Sequence, residues 1–174
     1  STSSHSIRLS TPFATLINSS TTSSDNPTSN NFSLQRQNIA VLDFGSTTLD
    51  IIILNPVYPE EPLEFQRMYL PLKNKREELE GILKTLLRSY ADYNIRKFIL
   101  STKSTFFSTA KETIEFVVDS ITKFIRKDNV LLYTIDGEFI SVDSAIRFPE
   151  KVVSSGWRAL GLGLWEIMKK DALI

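Results

Sequence analysis

Apolar residues from residue 38 onward recur with a strand-like period of two in some blocks and a helical period of about 3.6 in others. Ile39–Leu42 and Leu49–Leu54 are dense in β-branched residues and leucine, which suits buried strands. They predict a first strand over about 38–43 and a second over about 48–54. Pro56, Pro59 and Pro62 mark a loop. Phe65, Arg67 and Tyr69 alternate with Gln66, Met68 and Leu70, which predicts a third strand over 64–70. Leu79, Ile82, Leu83, Leu86 and Leu87 share a helical face and predict an amphipathic helix from Glu77 to Tyr90. Ile95–Leu100 reads as a fourth, buried strand. Ser108 or Thr109 supplies an N-cap for a helix to about Arg126, with Ile114, Val117, Val118, Ile121 and Ile125 facing inward. Val130–Ile135 reads as a fifth strand. Asp136-Gly137 signals a hairpin, and 138–141 returns as a short sixth strand. Pro149 opens a final helix to about Lys170.

The turn between the first two strands holds the chain's most informative chemistry. Asp43-Phe44-Gly45-Ser46-Thr47-Thr48 combines a carboxylate, a glycine and hydroxyls. A glycine lets backbone approach a ligand closely. Turn N–H groups and hydroxyls suit phosphate oxygens, and Asp43 is placed to hold Mg²⁺ through water. Two readings stand side by side. One is a phosphate-binding hairpin with Gly45, Ser46, Thr47 and Thr48 as contacts. The other is an ordinary hairpin rich in Ser and Thr. Asp50 lies among isoleucines, where a carboxylate needs a partner; it is either a cleft residue behind the site or on an exposed edge face, and the exposed edge is the favoured reading. Thr102, Lys103 and Ser104 follow the fourth strand, at the carboxyl end where open α/β sheets place ligands. Lys103 meets a phosphate or acidic substrate there, or is a solvated loop lysine.

Composition narrows the classes. The 174 residues suffice for one domain with a core. Formal net charge is zero, so no basic field grips nucleic acid. The absence of cysteine excludes disulfides and thiol catalysis and fits a reducing cytoplasm. The single histidine, His5, sits in a Ser-rich segment, against a histidine triad or zinc site. No apolar run has a membrane span's length. Ser1 to about Gln37 is rich in Ser, Thr and Asn and is expected to be a disordered tail. Its Phe13, Leu16 and Ile17 dock on a partner or remain solvated.

The β-β-β-α-β-α-β order, with a final helix, resembles the ribonuclease-H-like domain that forms each half of actin, sugar kinases and heat-shock ATPases. That resemblance implies an α/β fold with a mixed sheet and helices on both faces. Strands one to three would be antiparallel, and strands four and five parallel to strand one. The hairpin joining strands one and two would hold nucleotide phosphates.

Five landmarks are similar to a narrower group, the hydantoinase/oxoprolinase-like proteins of the tetrahydromethanopterin-linked C1 pathway, which serve methanofuran synthesis in archaea. They are Leu42-Asp43-Phe44-Gly45-Ser46, Ser101-Thr102-Lys103, Glu115-Phe116-Val117, Tyr133 to Phe139, and Ser154 to Leu160. The resemblance spans 38 to about 165. It implies that residues 38–174 are the N-terminal lobe of an actin-like ATP-dependent enzyme. ATP and Mg²⁺ would be its cofactors, and a small molecule its substrate. A second lobe or subunit would complete the cleft. The family's acidic pair would fall near Thr105 and Ser108, where carboxylates are absent, and its Asn is Gly156. Asp43 to Asp50 also resembles the second-lobe turn, but the downstream landmarks favour the first. The alternative is a non-catalytic subunit that keeps the fold.

Overall fold

A computed structural model describes residues 37–155, apart from 56–57 and 59–60. The expected tail up to residue 36 and the final helix beyond Ser155, with Gly156, Trp157, Gly161 and Gly163, lie outside the described residues.

Six strands form one mixed sheet in the order β3-β2-β1-β4-β5-β6. They are β1 (Asn38–Phe44), β2 (Thr48–Leu54), β3 (Glu64–Tyr69), β4 (Ile95–Thr102), β5 (Val130–Tyr133) and β6 (Phe139–Ser141). β2 is antiparallel to both β1 and β3, while β4 runs parallel to β1 and β5 parallel to β4. β6 folds back antiparallel on β5. The β5–β6 turn uses Gly137 at φ +87°, a left-handed conformation that glycine adopts without a Cβ clash.

One face of the sheet carries the helices α1 (Glu78–Ser89), α2 (Ala110–Thr122) and α3 (Val142–Arg147). Leu42, Phe44, Leu49, Ile51, Ile53 and Leu100 meet Leu79, Leu83 and Leu86 of α1 and Ile114, Val117 and Ile121 of α2. Each such side chain contributes roughly 2 kcal/mol on leaving water. Thr109 caps α2 by accepting from the Glu112 N–H at 3.1 Å. The opposite face holds Ile39, Val41, Ile52, Leu54, Ile99 and Tyr133. Among the described residues no helix packs there, so the expectation of helices on both faces is met on one.

The C-terminal expectation needs correction within the described residues. Pro149–Lys151 is a 3-10 turn rather than the start of a long α-helix. Ser154 has φ +68°, a left-handed conformation that interrupts helical propagation. The short helix α3 had no periodic signal at six residues. Its trace in the sequence is the Ser141 cap, which accepts from the Ser144 N–H at 3.2 Å.

Candidate functional site

Hairpin register lines up four polar side chains across four strands. A two-residue tip, Ser46 and Thr47, sets Asp43 of β1 opposite Asp50 of β2. Asp50 is in turn opposite Arg67 of β3, and Asp43 is beside Ser101 of β4. The row reads Arg67, Asp50, Asp43, Ser101. It lies at the carboxyl end of β1 and β4, on the face away from the helices.

Two carboxylates facing each other across a strand pair repel unless cations intervene. Here two do. Arg67 grips Asp50 with both arms of its fork, Nε to Oδ1 at 2.7 Å and a terminal nitrogen to Oδ2 at 2.9 Å. Lys103 reaches back from the end of β4 and places Nζ 2.5 Å from Asp50 Oδ2 and 3.4 Å from Asp43 Oδ2. Ser101 Oγ donates to Asp43 Oδ1 at 2.7 Å. Asp43 and Asp50 are almost fully buried, at 0% and 1% exposure. The expectation that Asp50 lies on an exposed edge is therefore wrong: β3 continues the sheet beyond β2 and supplies the arginine that permits burial. Lys103 is not a solvated loop lysine but the ammonium between two carboxylates.

The carboxylates titrate in opposite directions. Burial pushes Asp43 above the ordinary range, and the hydrogen bond from Ser101 and the nearby charge of Lys103 only partly oppose this. Burial also pushes Asp50 upward, but hydrogen bonds from Arg67 and Lys103 outweigh it and hold Asp50 below that range.

The turn itself is tied down on both sides. The Gly45 N–H donates to the Thr48 carbonyl at 2.7 Å, the Leu70 N–H to the Thr47 carbonyl at 2.7 Å, and the Lys103 N–H to the Phe44 carbonyl at 2.8 Å. A Cβ on Gly45 would meet Thr48 Oγ1 at 3.1 Å and Lys103 Cδ at 3.4 Å. Glycine thus leaves room for the lysine stem to cross the hairpin. Ser46 and Thr47 are exposed at the tip, and Thr48 is half-buried. Among the described residues the N–H groups of Ser46 and Thr47 have no hydrogen-bond partner. Thr102 is turned the other way: it is buried, and its hydroxyl donates to the Val152 carbonyl at 3.3 Å. Of the sequence candidates, then, Asp43, Gly45, Ser46, Thr47, Thr48 and Lys103 gather at one end of the sheet.

Asp43 does not fit a Mg²⁺ site. A hard cation needs several oxygen ligands and usually keeps its waters. Asp43 presents no exposed oxygen, and the oxygens of Asp50 are already taken. Asp43 Oδ2 makes no hydrogen bond, and the cation facing it is Lys103. Among the described residues no three His, Cys, Asp or Glu side chains form a metal-holding group. The Mg²⁺ assignment to Asp43 is thereby corrected: burial removes the water shell, and an ammonium takes the cation's place.

Arg67 was not among the candidates read from sequence. The available signal was its place in the third strand, two residues from Phe65 and Tyr69 on the same face.

No protein-family model and no curated protein matches the chain. Among solved structures, a reductive activator for a corrinoid, iron-sulfur protein is similar at a TM-score of 0.32 and 13% identity, over 53% of this chain and 18% of that one. The archaeal translation termination factor aRF1 is similar at a TM-score of 0.31 and 17% identity, over 78% of this chain and 41% of that one. The chain thus spans less than half the length of either, and likenesses at these scores carry no argument about function. No described helix is long and apolar enough to cross a membrane.

Proposed function

We propose that this chain is the phosphate-binding lobe of an actin-like ATP-dependent enzyme, a transferase or hydrolase of the kind seen in the hydantoinase/oxoprolinase-like C1-pathway proteins. One observation carries the reading: at the carboxyl end of β1, a two-residue turn presents the unbonded N–H groups of Ser46 and Thr47. Strand directions support it, since β1 to β3 form an antiparallel meander and β4 and β5 run parallel to β1. Successive backbone N–H groups in a turn form an anion-accepting concavity.

The cluster of Asp43, Asp50, Arg67 and Lys103 suits this role. Two carboxylates alone behind the turn would repel a phosphate. Lys103 and Arg67 bring that cluster to zero net charge, so the N–H dipoles at the tip dominate locally. Phosphoryl transfer depends chiefly on positioning and electrostatics. This lobe would supply positioning, and a second lobe or subunit the adenosine pocket and the remaining phosphate contacts. ATP is the nucleotide proposed, delivered as its Mg²⁺ complex, and no step is assigned to a metal at Asp43.

A second reading rests on the same quartet. Asp50 is held by Arg67 and Lys103, and Asp43 is fully buried with Oδ1 bonded to Ser101, which leaves neither accessible as a base; this favours a non-catalytic binding or structural module that keeps the fold. The first reading requires the turn to accept an anion; in the second the hairpin is structural.

Calorimetric titration of the chain with Mg-ATP tests that requirement. Weak binding is expected for the lobe alone, and tighter binding once a second lobe completes the cleft. Thr47→Glu places a like charge at the exposed tip without touching the core, and is expected to weaken binding at least tenfold. Equal binding by the wild-type chain and Thr47→Glu would remove the turn from the site.

A further inference from the structure

On the helix-bearing side of the same sheet end lies a cleft of about 550 Å³. Lys73 and Arg76, from the segment between β3 and α1, supply its positive charge. Thr105 and Ser108, from the loop between β4 and α2, and Ser46, from the turn, supply hydroxyls. We propose that this cleft is a separate site for a phosphate monoester, the phosphorylated form of a small organic substrate.

The donor set argues for phosphate. Arg76 lies over the Phe107 ring at 3.7 Å from its centre and donates to Glu112 Oε1 at 3.2 Å. The stacking and the ion pair fix the guanidinium plane, and Arg76 makes no other hydrogen bond among the described residues. Its remaining donors are left for a ligand, in the fork geometry that phosphate accepts. Lys73 makes no hydrogen bond or ion pair among the described residues. With Glu112 counted, the three charged side chains sum to one positive charge, which favours an anion. A carboxylate has two oxygens to offer, whereas two cations and three hydroxyls match the three outer oxygens of a phosphate monoester.

The size argues for an organic body as well. Pockets of roughly 300–1,000 Å³ hold small molecules, and 550 Å³ exceeds what bare phosphate needs. Buried Phe106 and half-buried Phe107 give the cleft an apolar wall for that body. The two buried carboxylates and their cations lie on the other face of the sheet, so the site shares only Ser46 with the proposed nucleotide turn.

Calorimetric titration of the chain with inorganic phosphate at constant ionic strength tests the proposal. Lys73→Ala and Arg76→Gln are each expected to weaken phosphate binding at least tenfold. Lys84→Ala removes an equal charge from an exposed position on α1, and is expected to change it less than twofold. No binding by the wild-type chain, or an equal loss with Lys84→Ala, would overturn the site. A parallel Mg-ATP titration separates it from the nucleotide reading. If Lys73→Ala lowers Mg-ATP affinity as much as phosphate affinity, the cleft is part of the nucleotide site and the separate site falls. If Thr47→Glu leaves Mg-ATP binding unchanged while Lys73→Ala abolishes phosphate binding, the nucleotide reading falls and the phosphate site stands.

Discussion

Asp50→Asn is expected to lower the unfolding free energy by roughly 3 kcal/mol at pH 7, the low end for breaking a buried ion pair. The amide removes the charge that both Arg67 and Lys103 bind, at 2.7 Å and 2.5 Å. The low end applies because the Arg67 side chain is 43% exposed and recovers some hydration. The pH dependence follows from the depressed folded-state pKa of Asp50. A depressed carboxylate contributes stability above its unfolded value of 3.8, and loses it as pH falls through the folded value. The gap between wild type and Asp50→Asn should therefore be full near neutrality and close in acid. Urea denaturation at several pH values measures it. Asp43→Asn is expected to cost less than about 1 kcal/mol at pH 7, because it deletes a charge that burial disfavours and keeps an acceptor for Ser101. A larger loss for Asp43→Asn than for Asp50→Asn would reverse the roles assigned to the pair.

Lys103→Met should cost about 3–4 kcal/mol at pH 7, since it leaves the facing carboxylates with no cation between them and only Arg67, on the far side of Asp50, to offset them. Methionine matches the lysine stem closely enough to keep its passage beside Gly45 filled, so the loss reports charge rather than volume. The pH signature differs from that of Asp50→Asn. Asp43 already titrates above its ordinary value, and losing the ammonium raises it further. A raised group stabilises the fold at low pH and loses that contribution as pH rises through the folded pKa. The gap between wild type and Lys103→Met should therefore be wider at pH 7 than at an acidic pH. Urea melts at the two pH values decide this, and a gap that stays constant would contradict the bridging role of Lys103.

Much of the sheet was legible in the sequence because its strands are dense and their punctuation is strong. Gly45 to Thr48 separates two apolar runs by a short polar tip, and Asp136-Gly137 does the same before β6. The helices announced themselves through Leu79, Leu83 and Leu86, and through Ile114, Val117 and Ile121, all of which are buried. The candidate site was only partly legible. The members of the Asp43–Lys103 pair stand far apart in sequence, and only the parallel β1–β4 register brings Lys103 alongside the hairpin. Asp50 looked exposed because composition does not say which strand is an edge. A two-residue tip at 46–47 nevertheless fixes Asp43 opposite Asp50, and two facing carboxylates demand cations. Arg67 could have been sought on that ground. The cleft of Lys73 and Arg76 was hidden because loop residues carry no period, and their meeting with Thr105 and Ser108 is a product of the fold.

The most direct measurement is a two-dimensional amide NMR titration of the chain with Mg-ATP, with residues 38–155 assigned. The N–H resonances of Ser46 and Thr47 should shift progressively and saturate together, with smaller shifts at Gly45 and Lys103. Shifts confined to other segments, or none at concentrations where calorimetry detects binding, would show that the turn does not receive the nucleotide phosphates.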